Sequence, residues 1–421
     1  MAGPDARTLG LLQLVALGLN GVIGVGIFFV PASVARQVPG STGAWVYAAT
    51  AIACLPVALA FARLGRRFEE DGGPYVFARH AFGPGVAFVV GWLAYASALF
   101  SCSAVIRGLA ESLPWIKQGP SWSVNLAASL IVLGLAALVA AGLKVSAWAW
   151  TGITIAKLLP LLLLAGVALW MIPDAPPAVP SSSPVAASNL LRGSLIVLFA
   201  LQGFEIVAVP AGHVRRPSSV AIATLVALVG AAVLYVGLHA ACVRALPSLA
   251  SSPAPLSEAA AAYGGPSLGK LIGVGTNVSA LGIALGMVAM TPRYLSALGR
   301  PDGLGVWFGA GDARGVPRRA LGITAVAVLV LVQNGSLDEL FAMSSISVLA
   351  QYGSTAASLI ALGWRRDRGL GRGDLAIGLA AAITAVVVAS GAKWQEVARA
   401  GGVVAVGVVA RVLLGLKTRR G

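Results

Sequence analysis

The chain has 421 residues, of which 58% are hydrophobic and only 11% charged, and its mean hydropathy is +0.87. A water-soluble protein of that length needs a far more charged surface, so the composition excludes one and indicates a polytopic membrane protein. The net charge of +15 would suit nucleic acid, but the placement of the basic residues assigns it another role.

Apolar runs long enough to cross a bilayer, roughly 18–25 residues each, give twelve predicted spans: 8–36, 41–65, 84–108, 121–142, 146–172, 190–214, 218–243, 266–294, 318–334, 337–362, 374–391 and 397–416. A short polar leader runs straight into the first, which is expected to stay as a helix rather than be removed as a signal peptide. The longest connection, "PDAPPAVPSSSPVAASN" from Pro173 to Asn189, reads as a Pro/Ser-rich external linker. With the N-terminus cytoplasmic, twenty of the thirty Lys and Arg residues fall on the cytoplasmic side. Eight fall opposite (Arg36, Arg107, Lys117, Arg192, Arg244, Lys270, Lys393 and Arg399), and two, Lys157 and Arg411, lie inside spans. That excess predicts a multi-pass protein of the cytoplasmic (inner) membrane with both termini in the cytoplasm. The basic charge is then an orientation signal and a contact with anionic membrane lipid, and no nucleic-acid partner is expected. Trp45, Trp148, Trp150, Trp170, Trp364 and Trp394 fall near span ends, as interfacial anchors do. Cys54, Cys102 and Cys242 lie in apolar runs without paired spacing, so they read as small core residues with neither disulfide nor metal.

The first span contains "NGVIGVGIFFVP", Asn20 to Pro31. Its glycines, closed by a proline, weaken a helix where lipid offers the backbone no replacement partner. The sixth span contains "FALQGFEIVAVP", Phe199 to Pro210. Laid together without gaps, Gly24 meets Gly203, Ile27 meets Ile206, Val30 meets Val209 and Pro31 meets Pro210. The two spans are five apart and so cross in opposite directions. Matched interruptions in two inverted halves mark the binding site of a secondary transporter. Non-helical backbone at mid-membrane persists only where its polar groups find partners, because each orphaned group costs several kcal/mol. The half-helix starting near Ile27 presents N–H groups, and those of Val25 and Gly26 suit a carboxylate. The half-helices ending near Ile23 and Phe199 present carbonyls that suit an ammonium. Together they describe a receptor for a zwitterion, which the glycines allow to approach the backbone closely. Helix packing through small residues is the plainer alternative for these glycines.

Two ionisable residues stand out deep in the predicted membrane region. Lys157 is eleven residues into span 5, about 16 Å given the helical rise, too deep for easy snorkelling. Glu205 lies in the break of span 6. Intramembrane ionisable groups are functional candidates, and both are candidates for proton coupling. A buried lysine can release and regain a proton near physiological pH. Against the carbonyls of broken helix 1, its ammonium would do the work of a sodium ion. The alternatives are a permanently charged structural lysine and, for Glu205, a protonated acid bonded within the bundle or a partner for a cationic side chain. Arg411 is expected to snorkel to the interface. His80 and His213 read as cytoplasmic-side residues and His239 as a packing residue.

Four motifs carry a family resemblance: "GVIGVGIFFVPA" in span 1, "EDGGPYVFARHAFGPGVAFVVGW" from Glu70 to Trp92, "FALQGFEIVAVPAGHVRRP" from Phe199 to Pro217, and "TPRYLSALGRPDGLG" after span 8. In this order they resemble the amino acid–polyamine–organocation (APC) permeases, to about residue 362. The resemblance implies an all-α membrane protein of twelve transmembrane helices, built as a five-plus-five inverted repeat with discontinuous helices 1 and 6. The repeats would be 1–172 and 190–362, followed by helices 11 and 12 at 374–416. It also implies an amino acid bound at Ile23, Gly24, Val25, Gly26, Phe199, Ala200, Gln202 and Gly203. The carboxylate would meet Val25 and Gly26, the ammonium the carbonyls of Ile23, Phe199 and Gln202, and Phe199 would be an aromatic lid. Lys157 matches the helix 5 lysine of proton-coupled members. Two departures matter: Val25 stands where members often carry Ser or Thr, and Gly212-His213 stands where they commonly read Gly-Glu.

The expectation is therefore a secondary active transporter moving amino acids by proton-coupled symport and alternating access. The alternatives are an amino acid/amine exchanger and an amino acid sensor that moves nothing. Its partners would be the amino acid, protons and membrane lipid, with no cofactor and no metal. An enzyme is disfavoured, since no metal-ligand cluster or intramembrane His, Asp or Glu pair has catalytic spacing. Val25, Phe199 and Phe204 favour a neutral, medium-sized side chain, while Glu205 keeps cationic amino acids and polyamines open. Oligomeric state is left open.

Overall fold

The computed structural model describes residues 9–24, 26–68, 70, 72–113, 116, 120, 122–141, 147–170, 185–210, 214–299, 303–309 and 316–418, without the side chains of 147–157, 368 and 414–418. Among these residues the chain is all-helical, with no strand. The helices are α1 (Leu11–Val22), α2 (Gly26–Gln37), α3 (Thr42–Gly65), α4 (Pro74–Phe82), α5 (Pro84–Ser112), α6 (Trp122–Ala140), α7 (Ala147–Trp170), α8 (Ala187–Leu201), α9 (Ser218–Ala245), α10 (Pro255–Ala297), α11 (Val306–Gly309), α12 (Arg318–Asn334), α13 (Leu337–Trp364), α14 (Arg372–Ala389) and α15 (Trp394–Thr418). Seven of them, α3, α5, α6, α9, α10, α13 and α14, are each long and apolar enough to cross a bilayer. The pair α1 and α2, bent by 44°, passes the same test together. Exposed apolar side chains such as Leu130, Val233 and Val386 give these helices an exterior suited to lipid.

Each apolar run of the sequence falls on one of these helices or on a broken pair, but two local features differ from the expectation. A short helix, α4, occupies the connection after span 2; it is framed by Gly-Pro pairs and is too short to register as a span. The expected start of span 8 at 266 is instead a kink inside α10, where Gly264 and Gly265 are non-helical (Gly265 φ 77°) just before Pro266. Only glycine takes that φ without strain. The close junction of spans 9 and 10 is resolved by a capping box. The Ser336 hydroxyl accepts from Glu339 N–H at 3.3 Å, and the Glu339 carboxylate accepts from Ser336 N–H at 3.2 Å. This "SLDE" pattern satisfies donors at the start of α13.

The helices pack in two groups. One joins α1, α2, α3, α8 and α9; the other joins α5, α6, α10 and α12, with α7 lying against α10 and α9. α13 runs between them, against α5 on one side and α8 and α3 on the other. Cys54, Cys102 and Cys242 are free and buried in this core.

The last helix docks on α5. Trp92 Nε1 donates to the Val403 carbonyl at 2.7 Å, and a Cβ on Gly407 would overlap the Trp92 ring. Gly407→Ala is therefore expected to cost about 1–3 kcal/mol of stability, read as a lower melting temperature in detergent. An unchanged melting temperature would contradict this docking.

Candidate functional site

Helices α1 and α8 stop at Val22 and Leu201, residues that stand opposite each other in the ungapped alignment of the two broken stretches. After Val22 the backbone leaves the helix at Ile23 (φ −73°, ψ 74°), and α2 resumes at Gly26. After Leu201 it becomes extended at Gln202 (ψ 152°) and left-handed at Gly203 (φ 119°), then makes only a 3₁₀ turn, Phe204–Ala208. The first half of span 6 thus extends two residues beyond Phe199, where its end was expected.

The two breaks touch. A Cβ on Gly21 would lie 2.7 Å from the Gly203 carbonyl oxygen, and one on Gly203 would overlap the Gly21 carbonyl. A few residues on, a Cβ on Gly26 would lie 2.8 Å from Ala200 Cα and 3.2 Å from the Phe199 ring. Both glycines of the crossing are required by close approach, and Gly203 also by its φ. The structure therefore brings Ile23, Gly24, Gly26, Phe199, Ala200, Gln202 and Gly203 to one crossing. Gly24 alone is open, with nothing nearer an added Cβ than Val22 O at 3.8 Å.

Much of the freed backbone is satisfied internally. Val22 O accepts from Gly24 N–H at 2.7 Å and from the Tyr235 hydroxyl of α9 at 2.9 Å. Glu205 accepts from Gly203 N–H at 2.7 Å and from the Tyr352 hydroxyl of α13 at 2.8 Å, so it pins the turn to α13. The Gln202 side chain donates to Ser344 of α13 at 2.9 Å and Ser101 of α5 at 3.1 Å, and these serines share a 2.6 Å hydrogen bond. Its Oε1 is buried with no partner among the described residues. An acceptor in that state is expensive unless something donates to it. Phe199 stacks on Phe341 of α13, with ring centroids 4.3 Å apart.

Val25, the side chain of Lys157, and Gly212-His213 lie outside the described residues. Glu205 sits just past the break rather than in it. His239 is buried, tilted against Tyr47 at 5.0 Å, as a packing residue should be. His80 pairs with Glu70 at 2.8 Å, and Arg411 reaches the Gly85 carbonyl at 3.2 Å near the start of α5. Sequence reading missed Ser101, Ser344, Tyr235 and Tyr352. The two serines were visible as polar residues within apolar runs; the tyrosines resemble ordinary core. Among the described residues no group of three or more His, Cys, Asp or Glu is arranged to hold a metal ion.

Gly203→Ala is expected to abolish function and cost about 1–3 kcal/mol or more through backbone strain. Gly24→Ala, with open space, is expected to keep the fold. Thermal melts of the two purified variants test this contrast, and equal melting temperatures would contradict it.

The sequence profile of the amino acid permease family matches residues 9–406. The chain is 30% identical to a protein of Mycobacterium tuberculosis named an uncharacterized transporter, over 98% of this chain and 92% of the relative. It is 26% identical to mitochondrial cationic amino acid transporter 3 of Arabidopsis thaliana, over 84% of this chain and 62% of that protein. With cationic amino acid transporter 4 of Homo sapiens the identity is 25%, over 86% of this chain and 60% of that protein. The match across nearly the whole chain and the paired helix breaks agree: the chain belongs to the amino acid permease family, within the amino acid–polyamine–organocation superfamily.

Proposed function

We propose that the protein is a secondary active transporter that carries amino acids across the cytoplasmic membrane, coupled to protons and working by alternating access. The observation that carries this reading is the crossing at Gly21 and Gly203, where two helices interrupted at aligned residues meet backbone to backbone. In this reading the chain crosses the membrane twelve times with both termini in the cytoplasm. Residues 1–172 and 190–362 are inverted repeats, and helices 11 and 12 follow at 374–416.

The substrate carboxylate meets the N–H groups of Val25 and Gly26 at the start of α2, where the helix dipole favours a negative charge. The ammonium meets carbonyls of Ile23, Phe199 and Gln202 at the ends of α1 and α8. The unpartnered Gln202 Oε1, beside Ser101 and Ser344, offers an acceptor to a side chain that carries a donor. That acceptor and the cationic amino acid transporters among the relatives support lysine and arginine as substrates beside neutral amino acids.

Lys157 is the proton-carrying group, with Glu205 as a second candidate. A Cβ on Gly275 of α10 would lie 3.2 Å from Pro160 of α7, one turn from Lys157. The same stretch of α10 carries the buried Thr276 and Ser279 hydroxyls, which have no partner among the described residues. In this reading these hydroxyls are the acceptors that an ammonium on Lys157 would use.

Uptake of labelled neutral and cationic amino acids into proteoliposomes empty of substrate, with and without an inward proton gradient, tests the reading. Gradient-driven accumulation is expected, and Lys157→Ala is expected to abolish its pH dependence. Uptake only after internal loading would make the protein an exchanger, and no uptake at all would leave an amino acid sensor. A normal proton-driven signal in Lys157→Ala would end the coupling role.

A further inference from the structure

At the end of the molecule where α2 finishes, three ion pairs follow one another around four helices. Arg36 of α2 pairs with Asp338 in the first turn of α13 at 2.8 Å and donates to the Ala250 carbonyl at 3.0 Å. The next residue, Glu339, pairs with Arg399 of α15 at 3.2 Å. One turn earlier in α15, Glu396 accepts both guanidinium Nη groups of Arg192 on α8, at 2.5 and 2.6 Å. The circuit closes because the start of α8 meets the end of α2, where a Cβ on Gly193 would lie 3.2 Å from Val38. Consecutive residues on a helix point about 100° apart, so Asp338 and Glu339 reach different neighbours from one turn. Both acidic turns are helix N-termini, where carboxylates are favoured. Three of the eight basic residues assigned to this face by charge, Arg36, Arg192 and Arg399, are spent on this circuit.

The three links differ in kind. Arg192 and Glu396 are 9% and 2% exposed, whereas Arg36–Asp338 (39% and 25%) and Arg399–Glu339 (53% and 34%) meet solvent. The turn before α15 also lies against α8, since a Cβ on Gly391 would overlap the Leu191 carbonyl. The buried link therefore ties α8 to α15 as one unit, and the two exposed links both land on the first turn of α13. Beneath them a cleft of about 180 Å³, bordered by Ser33, Arg36, Glu111 and Leu337, ends on Phe29. Phe29 packs into Gly108 of α5, where a Cβ would lie 2.7 Å from its ring. Gly26 and Phe199, further along α2 and α8, are buried.

We propose that α15 is the arm that positions the half-helix α8, and that Arg36–Asp338 and Arg399–Glu339 are the paired latches that α2 and the α8–α15 unit release from α13 when this end opens. The proposal rests on the alternating-access reading and extends it to a helix that lies outside the two repeats.

The test labels Ser344→Cys, at the level of the breaks, with a membrane-impermeant thiol reagent. It is run in whole cells and in inverted vesicles, with the parent chain as background. Arg36→Gln and Arg399→Gln, both on exposed pairs, are each expected to raise labelling from the Arg36 face by roughly two- to fivefold and to lower it from the opposite face. A general loosening of the protein would raise both. In Glu396→Gln the Arg399→Gln increase is expected to disappear, because α15 no longer pulls on α8; in the charge-swapped R192E/E396R chain it is expected to return. Unchanged labelling in the Arg36→Gln/Arg399→Gln double variant, or a rise from both faces, overturns the latches. An Arg399→Gln increase of the same size in Glu396→Gln overturns the arm. Labelling needs no transported substrate, so a chain that fails to take up amino acids refutes the transport reading while these ratios remain readable.

Discussion

The rest of the structure depends on one contact, the approach of the Gly21 backbone to the Gly203 backbone. Two interrupted helices inside an apolar bundle leave N–H and C=O groups that lipid cannot satisfy. The molecule answers with side chains from neighbouring helices. Tyr235 holds Val22 O, and Glu205 takes the Gly203 N–H while Tyr352 holds Glu205. Each break is thereby fixed from outside its own helix, while Gln202 Oε1 stays without a partner among the described residues.

This division explains why α13 touches so much of the site. It supplies Tyr352 to Glu205, Ser344 to Gln202 and Phe341 to Phe199, and its first turn holds Arg36 and Arg399. One helix thus contacts the breaks along its length and the ion pairs at its start. The strengths of the links favour movement at the exposed pairs. Removing one partner from a buried pair costs about 3–5 kcal/mol, against about 0.2–1 kcal/mol for an exposed one. Arg192–Glu396 is of the first kind, which in the proposed opening keeps α8 and α15 joined while the pairs on α13 break.

The positions of both breaks were legible in the sequence, because glycine and proline inside an apolar run weaken a helix wherever they fall. Gly24 and Gly203 marked the interruptions, and Val22 and Leu201 end their helices at aligned residues. The course of the backbone beyond each break was not legible. "GIFFVPA" continues as the helix α2, whereas "FEIVA" makes a 3₁₀ turn, a choice made by Glu205 binding back to Gly203 and by the packing of Phe204 against Tyr352 at 5.4 Å. The polar lining was hidden for a related reason. A serine or tyrosine in an apolar segment looks alike whether it faces a neighbouring helix or a site, and only the fold brings Ser101 and Ser344 together across 243 positions of chain. Arg192 and Glu396 were equally silent, since charged residues near span ends ordinarily face water.

The most direct test of the central claim is an experimental structure of the protein bound to the amino acid it transports best. The account predicts the substrate carboxylate within hydrogen-bonding distance of Gly26 N–H and its ammonium at the carbonyl ends of α1 and α8. A ligand bound elsewhere, with the crossing of Gly21 and Gly203 unchanged and empty, would contradict it.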